Sequence, residues 1–134
     1  AALFLWRMTM ALTVNHPLLK EVRVYTVLAD SAGTGLAAVS SPIRGKIIKV
    51  ECCNSAVVDS DRVITFSLGT GGSPVAITGG AVTMTASGSA IGQIFTGTPT
   101  ALNLVAEGDT IQVTSDAAGS TACNTTCVIT IQAA

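Results

Sequence analysis

The stretch Ile43-Arg-Gly-Lys-Ile-Ile-Lys-Val-Glu-Cys-Cys53 decides the fold class. In an extended chain its apolar side chains would point to one side and its charged side chains to the other, with Ile48, Val50 and Cys52 set against Lys49 and Glu51. This alternation predicts a β-strand that has one buried face and one solvated face.

Short β-prone runs of the same kind continue along the chain, separated by Gly, Pro, Ser and Asp. No helical period is visible. Gly79-Gly80 lies between two of the runs and predicts a tight hairpin turn. Many short strands at this spacing predict an all-β, single-domain antiparallel β-sandwich or barrel. The predicted strands cover residues 19–29, 43–53, 62–68, 75–78, 81–85, 92–96, 101–105, 110–115 and 126–132.

The composition is apolar and poor in charge. Hydrophobic residues make up 49% of the 134, and charged residues only 11%, where ordinary domains carry about 25%. So few charges predict that partner subunits cover much of the surface, as in a homo-oligomer. The formal net charge of −1 gives no reason to expect nucleic acid or an anionic membrane as a partner, since both are recognised through clustered Lys and Arg.

The first 18 residues differ from the rest of the chain, so we expect an N-terminal arm at 1–18 and a sandwich domain at 19–134. The arm is apolar and almost uncharged, and it would be an aggregation hazard if left exposed. It is expected either to add a strand to the sheet of its own domain or to pack on a neighbouring subunit. Its bulky side chains are the candidate partner-binding residues, Phe4, Trp6, Met8, Met10 and Leu12.

Catalytic arrangements find little support in the sequence. His16 is the only histidine, and it lies far along the chain from any candidate nucleophile. The Gly-x-Gly-x-x-Ala pattern at 33–38 follows a strand, but no helix follows it to hold a pyrophosphate. With one Trp, one Tyr and three Phe, the chain is also short of the aromatic side chains that usually line sugar clefts. We therefore expect no enzyme and no cofactor.

Carboxylates gather in two predicted loops, Asp59 with Asp61 and Glu107 with Asp109. Loop carboxylates can bind calcium, but this spacing is not that of an EF-hand. Asp next to Gly is also typical of tight turns, where the side chain accepts backbone hydrogen bonds. Turn formation is the favoured interpretation, and no metal is expected.

Four cysteines complete the set of candidate residues: Cys52, Cys53, Cys123 and Cys127. They could form two disulfides, remain buried free thiols or bind zinc. The Cys-x-x-x-Cys spacing departs from the Cys-x-x-Cys knuckles of structural zinc sites. Disulfides are favoured if the protein works outside a reducing cytosol.

The order of several short motifs resembles the small jelly-roll decoration or cement proteins on the capsid exterior of tailed bacteriophages. The motifs span about two thirds of the chain. They are Ser41-Pro-Ile-Arg-Gly-Lys-Ile-Ile-Lys-Val50, Ile64-Thr-Phe-Ser-Leu-Gly69, Ala76-Ile-Thr-Gly-Gly-Ala-Val-Thr-Met84, Gly88-Ser-Ala-Ile-Gly-Gln93, Asn103-Leu-Val-Ala-Glu-Gly-Asp-Thr-Ile-Gln-Val113 and Val128-Ile-Thr-Ile131. The N-terminal arm and the cysteines are not part of this pattern.

The resemblance implies a jelly-roll β-sandwich that assembles as a small oligomer, often a trimer. It also implies binding to the major capsid protein on the outer surface of the virion, without catalysis. The alternative expectation, from a different class of function, is a phage fibre, spike or adhesin-like module that recognises a host glycan or surface receptor.

A jelly roll would also bring the cysteines together. In that fold the strand at 43–53 and the last strand are antiparallel neighbours, so Cys52 and Cys127 should meet on the inner face. Cys53 would then reach Cys123. We expect both pairs to be bridged if the mature particle is oxidised.

Overall fold

The computed structural model describes residues 20–29, 36–71, 73–87, 90–116 and 123–134. This part of the chain contains nine β-strands and no helix. The strands are β1 (Glu21–Leu28), β2 (Leu36–Ser40), β3 (Gly45–Asn54), β4 (Arg62–Leu68), β5 (Val75–Met84), β6 (Ile94–Gly97), β7 (Leu104–Val105), β8 (Thr110–Ser115) and β9 (Thr125–Ala133). The predicted all-β class is confirmed.

The strands form two antiparallel sheets that pack into a β-sandwich. The first sheet has the order β1-β9-β3-β6, with β7 also paired to β3, and the second has the order β2-β8-β4-β5. Each sheet therefore combines strands from the two halves of the chain. The C-terminal strand β9 lies between β1 and β3 and pairs with both along most of its length.

The core lies between the sheets and consists of aliphatic side chains together with Phe66, Met84 and three cysteines. Alternation along the strands supplies these side chains, as in β9, where Cys127, Ile129 and Ile131 are fully buried. Burial of such apolar area is the main stabilising term in folding. The core also holds the buried guanidinium of Arg62, whose Nη2 donates to Asp59 Oδ1 at 2.9 Å.

The expected hairpin at Gly79-Gly80 is wrong. Both glycines lie inside β5, which runs without interruption from Val75 to Met84. In the ladder with β4, Thr65 pairs with Ala81 and Ser67 pairs with Ala76. Residues 77–80 of β5 therefore have no partner in this ladder except the one position of Phe66, and they form a bulge four residues long. Gly79 has a φ of 79°, and a Cβ there would collide with the carbonyl oxygen of Thr98. The glycines therefore permit a bulge and a close backbone approach instead of a turn.

Strand β3 also contains a bulge that simple alternation did not predict. Its register with β9 shifts between Ile47 and Lys49, so Ile47 is fully buried while Ile48 is only partly buried. The expectation that Ile48 faces inward with Val50 and Cys52 is therefore wrong for Ile48, since the bulged residue leaves the alternation. Beyond the bulge the predicted faces are found.

Strand β2 (Leu36–Ser40) was not expected from the sequence. It pairs with β8 through five residue pairs. Its sequence, Leu-Ala-Ala-Val-Ser, is short and rich in alanine, which has little β-propensity of its own. Pairing with β8 therefore decides its conformation.

Candidate functional site

Several of the candidate residues lie outside the described part of the chain. These include all five bulky residues of the expected arm, as well as His16 and the glycines of the 33–38 pattern. The proposed roles of the arm and of His16 stay predictions. The residues that follow the two glycines form strand β2, so this pattern is not followed by the helix that a dinucleotide site needs.

Cys52 and Cys127 are brought together. They are directly opposite each other in the β3–β9 ladder, and both side chains are fully buried. A hydrogen bond to the Cys127 thiol, burial and the neighbouring thiols Cys127 and Cys53 raise the pKa of Cys52 far above its ordinary value. The four cysteines are free thiols in this structure, and a Cys52–Cys127 bridge under oxidising conditions stays a prediction.

Cys53 and Cys123 are not brought together. The register places Cys53 opposite Thr126 on the outer face of the first sheet. Cys123 is buried in the core, and its Sγ donates to the carbonyl oxygen of Ala56 at 3.6 Å. Cys53 faces outward opposite Thr126, whereas Cys123 is buried three residues before Thr126 and bonded to Ala56, so this structure offers no geometry for the expected bridge.

Three of the loop carboxylates bind groups of the protein itself, and of these Asp109 binds the backbone of its own turn. Asp61 Oδ1 accepts the backbone N–H of Ala86 at 2.8 Å, and Asp109 Oδ2 accepts that of Ala106 at 2.8 Å. Asp59 binds Arg62, as described above. Among the described residues, no group of three or more His, Cys, Asp or Glu side chains could hold a metal ion.

A row of mostly apolar side chains crosses the outer face of the first sheet. It runs over four neighbouring strands and consists of Val27, Thr126, Cys53 and Ile94, which are consecutive partners in the ladders. Val27 is 50% exposed and Ile94 is 59% exposed. We call this set the outer row. It carries no charge, and the exposed ring of Tyr25 lies two residues before Val27 on the same face of β1.

A second apolar surface lies where β7 borders the second sheet. Val75, Leu102 and Leu104 are between 55% and 72% exposed and line a groove of about 620 Å³, which we call the side groove. Leu102 has a φ of 55°, a left-handed conformation that an L-residue with a branched side chain rarely adopts.

The bulge in β5 helps to build the side groove. Thr78 within the bulge accepts the N–H of Thr100 and donates its own N–H to Ala101, which fixes the chain just before Leu102. Asn103 is buried, and its Nδ2 donates to the carbonyl oxygen of Ile47 at 2.6 Å. With Asn103 directed inward, its neighbours Leu102 and Leu104 are left at the surface.

A third feature, the end groove, continues from the side groove around the end of the first sheet. It has a volume of about 600 Å³ and shares Lys46 and Leu104 with the side groove. Ala133 also lines it, and the Ala133 N–H donates to the carbonyl oxygen of Lys20 at 2.7 Å. Lys20, the residue before β1, therefore lies at the rim of this groove.

Sequence reasoning did not find the outer row or the two grooves. The outer row depends on the register between four strands, which sequence spacing does not give. The one available signal was the predicted strand at 101–105, in which Leu102 and Leu104 alternate with Asn103.

Comparisons with known proteins give no family assignment. No protein-family model matches the chain, and no curated protein matches its sequence. In the described part of the chain there is no helix long and apolar enough to cross a membrane.

Proposed function

We propose that the protein is a structural virion component that decorates and cements the outer surface of a bacteriophage capsid by bridging subunits of the major capsid protein. The outer row carries this proposal. Val27 and Ile94 are exposed at the two ends of this uncharged row, in a chain with only 11% charged residues. Such a row is best explained by burial in an assembly.

The strand order also supports the proposal. Strands β6 and β7 both pair with β3, so we count them as one interrupted strand, which gives eight strands in chain order. The first sheet then contains strands one, eight, three and six, and the second contains strands two, seven, four and five. This is the order of a jelly roll, the fold that the sequence resemblance implies. We propose the jelly-roll type on this basis.

The proposed action is thermodynamic. A protein that binds only the expanded shell stabilises that state by mass action. The free energy gained at each site is RT ln(1 + [L]/Kd), where [L] is the concentration of the free protein and Kd its dissociation constant. In this proposal the outer row is buried between copies in a small oligomer, with a trimer favoured. The N-terminal arm supplies the contact to the capsid through Phe4 and Trp6, because large aromatic side chains dominate binding energy when buried.

The test is to locate the protein on an intact particle by electron cryomicroscopy and to repeat the binding with variants. We expect density on the capsid exterior between capsomers, and a weaker interaction when residues 1–12 are deleted. The matched control is His16→Ala, which changes a polar residue after the deleted stretch and should bind like the wild type. Density on a tail fibre or spike, with binding to host glycans, would favour the adhesin-like alternative.

A further inference from the structure

The end groove lies where the undescribed N-terminal segment joins the sandwich. Nineteen residues precede Lys20, whose carbonyl oxygen accepts the N–H of Ala133 in the groove wall. This segment is apolar, contains no Asp or Glu, and includes Trp6, the only tryptophan of the chain. The side groove and the end groove meet at Lys46 and Leu104, and apolar side chains line most of both, with Arg44 and Asp109 also in the wall of the end groove.

The segment is long enough to cover both grooves. Lys20 and Leu104 are separated by the widths of β9 and β3, which is about 15 Å at an inter-strand spacing near 4.8 Å. About five extended residues cover that distance. A tether this short gives an effective concentration of about a millimolar or more, so at micromolar protein a segment docks on its own copy before it docks on another.

Leu102 adds a second, independent observation. Its left-handed backbone is unfavourable for leucine, and the result is a large apolar side chain that is 61% exposed. Strained residues that the surrounding structure holds in place are concentrated at binding sites. Here the bonds of Thr78 and Asn103 on either side hold the loop.

We propose that, in the isolated protein, residues 1–18 pack into the side groove and the end groove of their own copy, with bulky apolar side chains against Leu102 and Leu104. The packing removes two apolar surfaces from water at once. It also shields the segment from aggregation before assembly.

Trp6 reports on this contact directly, because no other tryptophan contributes to the fluorescence. In the isolated wild type we expect a blue-shifted emission and weak quenching by acrylamide. In the double variant Leu102→Asp/Leu104→Asp, the emission should shift to the red and quenching should approach that of the urea-unfolded chain. Both leucines are mostly exposed, so the sandwich should keep its far-ultraviolet circular dichroism.

The matched control is Ile91→Asp, because Ile91 is as exposed as Leu104, at 74% against 72%. It adjoins Gly92, which is bonded to Asn54 at the opposite end of β3. This variant should keep the blue-shifted emission. A solvent-exposed Trp6 in the wild type, or the same emission in wild type and double variant, would overturn the proposal.

A mixing experiment distinguishes a segment bound to its own copy from one bound to a neighbour. The double variant, which has Trp6 but a damaged groove, is mixed with a chain lacking residues 1–18, which has the groove but no tryptophan. We expect the emission to stay red-shifted at micromolar concentrations. A return of the blue shift on mixing would show docking between copies and contradict the inference. Because both experiments use the isolated chain, neither outcome bears on capsid binding.

Discussion

The thiol of Cys52 couples the stability of the sandwich to alkaline pH. Its pKa in the folded protein is raised far above the ordinary value of 9.0 by the Cys127 thiol and by burial. Above about pH 9 the unfolded chain therefore loses this proton while the folded chain keeps it. The stabilisation that this thiol contributes is fully present below that pH. Above it, the free energy of unfolding should fall by about 1.4 kcal/mol per pH unit.

Urea unfolding of the reduced protein between pH 8 and pH 10.5 measures this effect. Cys52→Ala should be less stable at every pH because it leaves a cavity, yet its stability should fall less steeply above pH 9. Cys53→Ala is the matched control, since Cys53 is the neighbouring thiol on the outer face, and it should keep the wild-type slope. Equal slopes in the wild type and Cys52→Ala would contradict this assignment.

The cysteines also show how far residue-level reasoning reaches. Alternation and the expected neighbouring strands were enough to place Cys52 beside Cys127, because both lie inside regular strands. Cys123 precedes Cys127 by four residues, so the same alternation places both side chains on the inner side. Cys53, in contrast, faces outward. The expected pairing of Cys53 with Cys123 ignored this difference, and the register separates the two residues.

At the scale of the element, the bulge in β5 depends on Gly79. Its positive φ is unfavourable for a side chain, and a Cβ would also meet the backbone of Thr98 and Pro99. We expect Gly79→Ala to lower the free energy of unfolding by about 3 kcal/mol, since the backbone would have to move in addition to the conformational cost. Chemical denaturation measures this change.

Gly71 supplies the control for Gly79. It has a similar φ of 74°, but a Cβ there would have no neighbour within 4 Å. Gly71→Ala should therefore show the conformational cost alone, about 1 kcal/mol. If the two alanine variants lose equal stability, the close approach of the 98–99 backbone does not explain the glycine.

The glycine pair shows why elements were predicted less well than the fold class. Two glycines between β-prone runs are typical both of a hairpin turn and of a bulge in one long strand. The choice depends on which backbone lies alongside, here that of Thr98 and Ala101, about twenty residues further along the chain. Ile48 is a second residue whose orientation depends on a distant strand, because the bulge beside it is defined by the register of β3 with β9.

At the scale of the whole molecule, composition predicted the need for a covered surface, but not its location. A deficit of charge is a property of the entire chain, while the outer row exists only once β1, β9, β3 and β6 are in register. The grooves likewise depend on contacts between distant segments, such as Asn103 with Ile47. The fold class could therefore be predicted from the sequence pattern alone, whereas the candidate surfaces could not.

The outer row should hold copies of the chain together. We expect the isolated protein to be an oligomer at micromolar concentration, with a trimer favoured, because an exposed row without charge on a charge-poor chain is costly to leave in water. Ile94→Lys places a charge in the outer row, where Ile94 is the partner of Cys53. It should lower the mass measured by light scattering towards that of one chain, 13.5 kDa.

Leu104→Lys is the control for this experiment, because it adds the same charge at a comparably exposed leucine outside the outer row. If the inference about residues 1–18 holds, this variant exposes Trp6 but keeps the oligomeric mass, while Ile94→Lys does the reverse. The two surfaces are then separable, since one is covered within a copy and the other between copies. A wild type that stays monomeric and soluble at micromolar concentration would contradict the oligomer, and with it the assembly role proposed for the outer row.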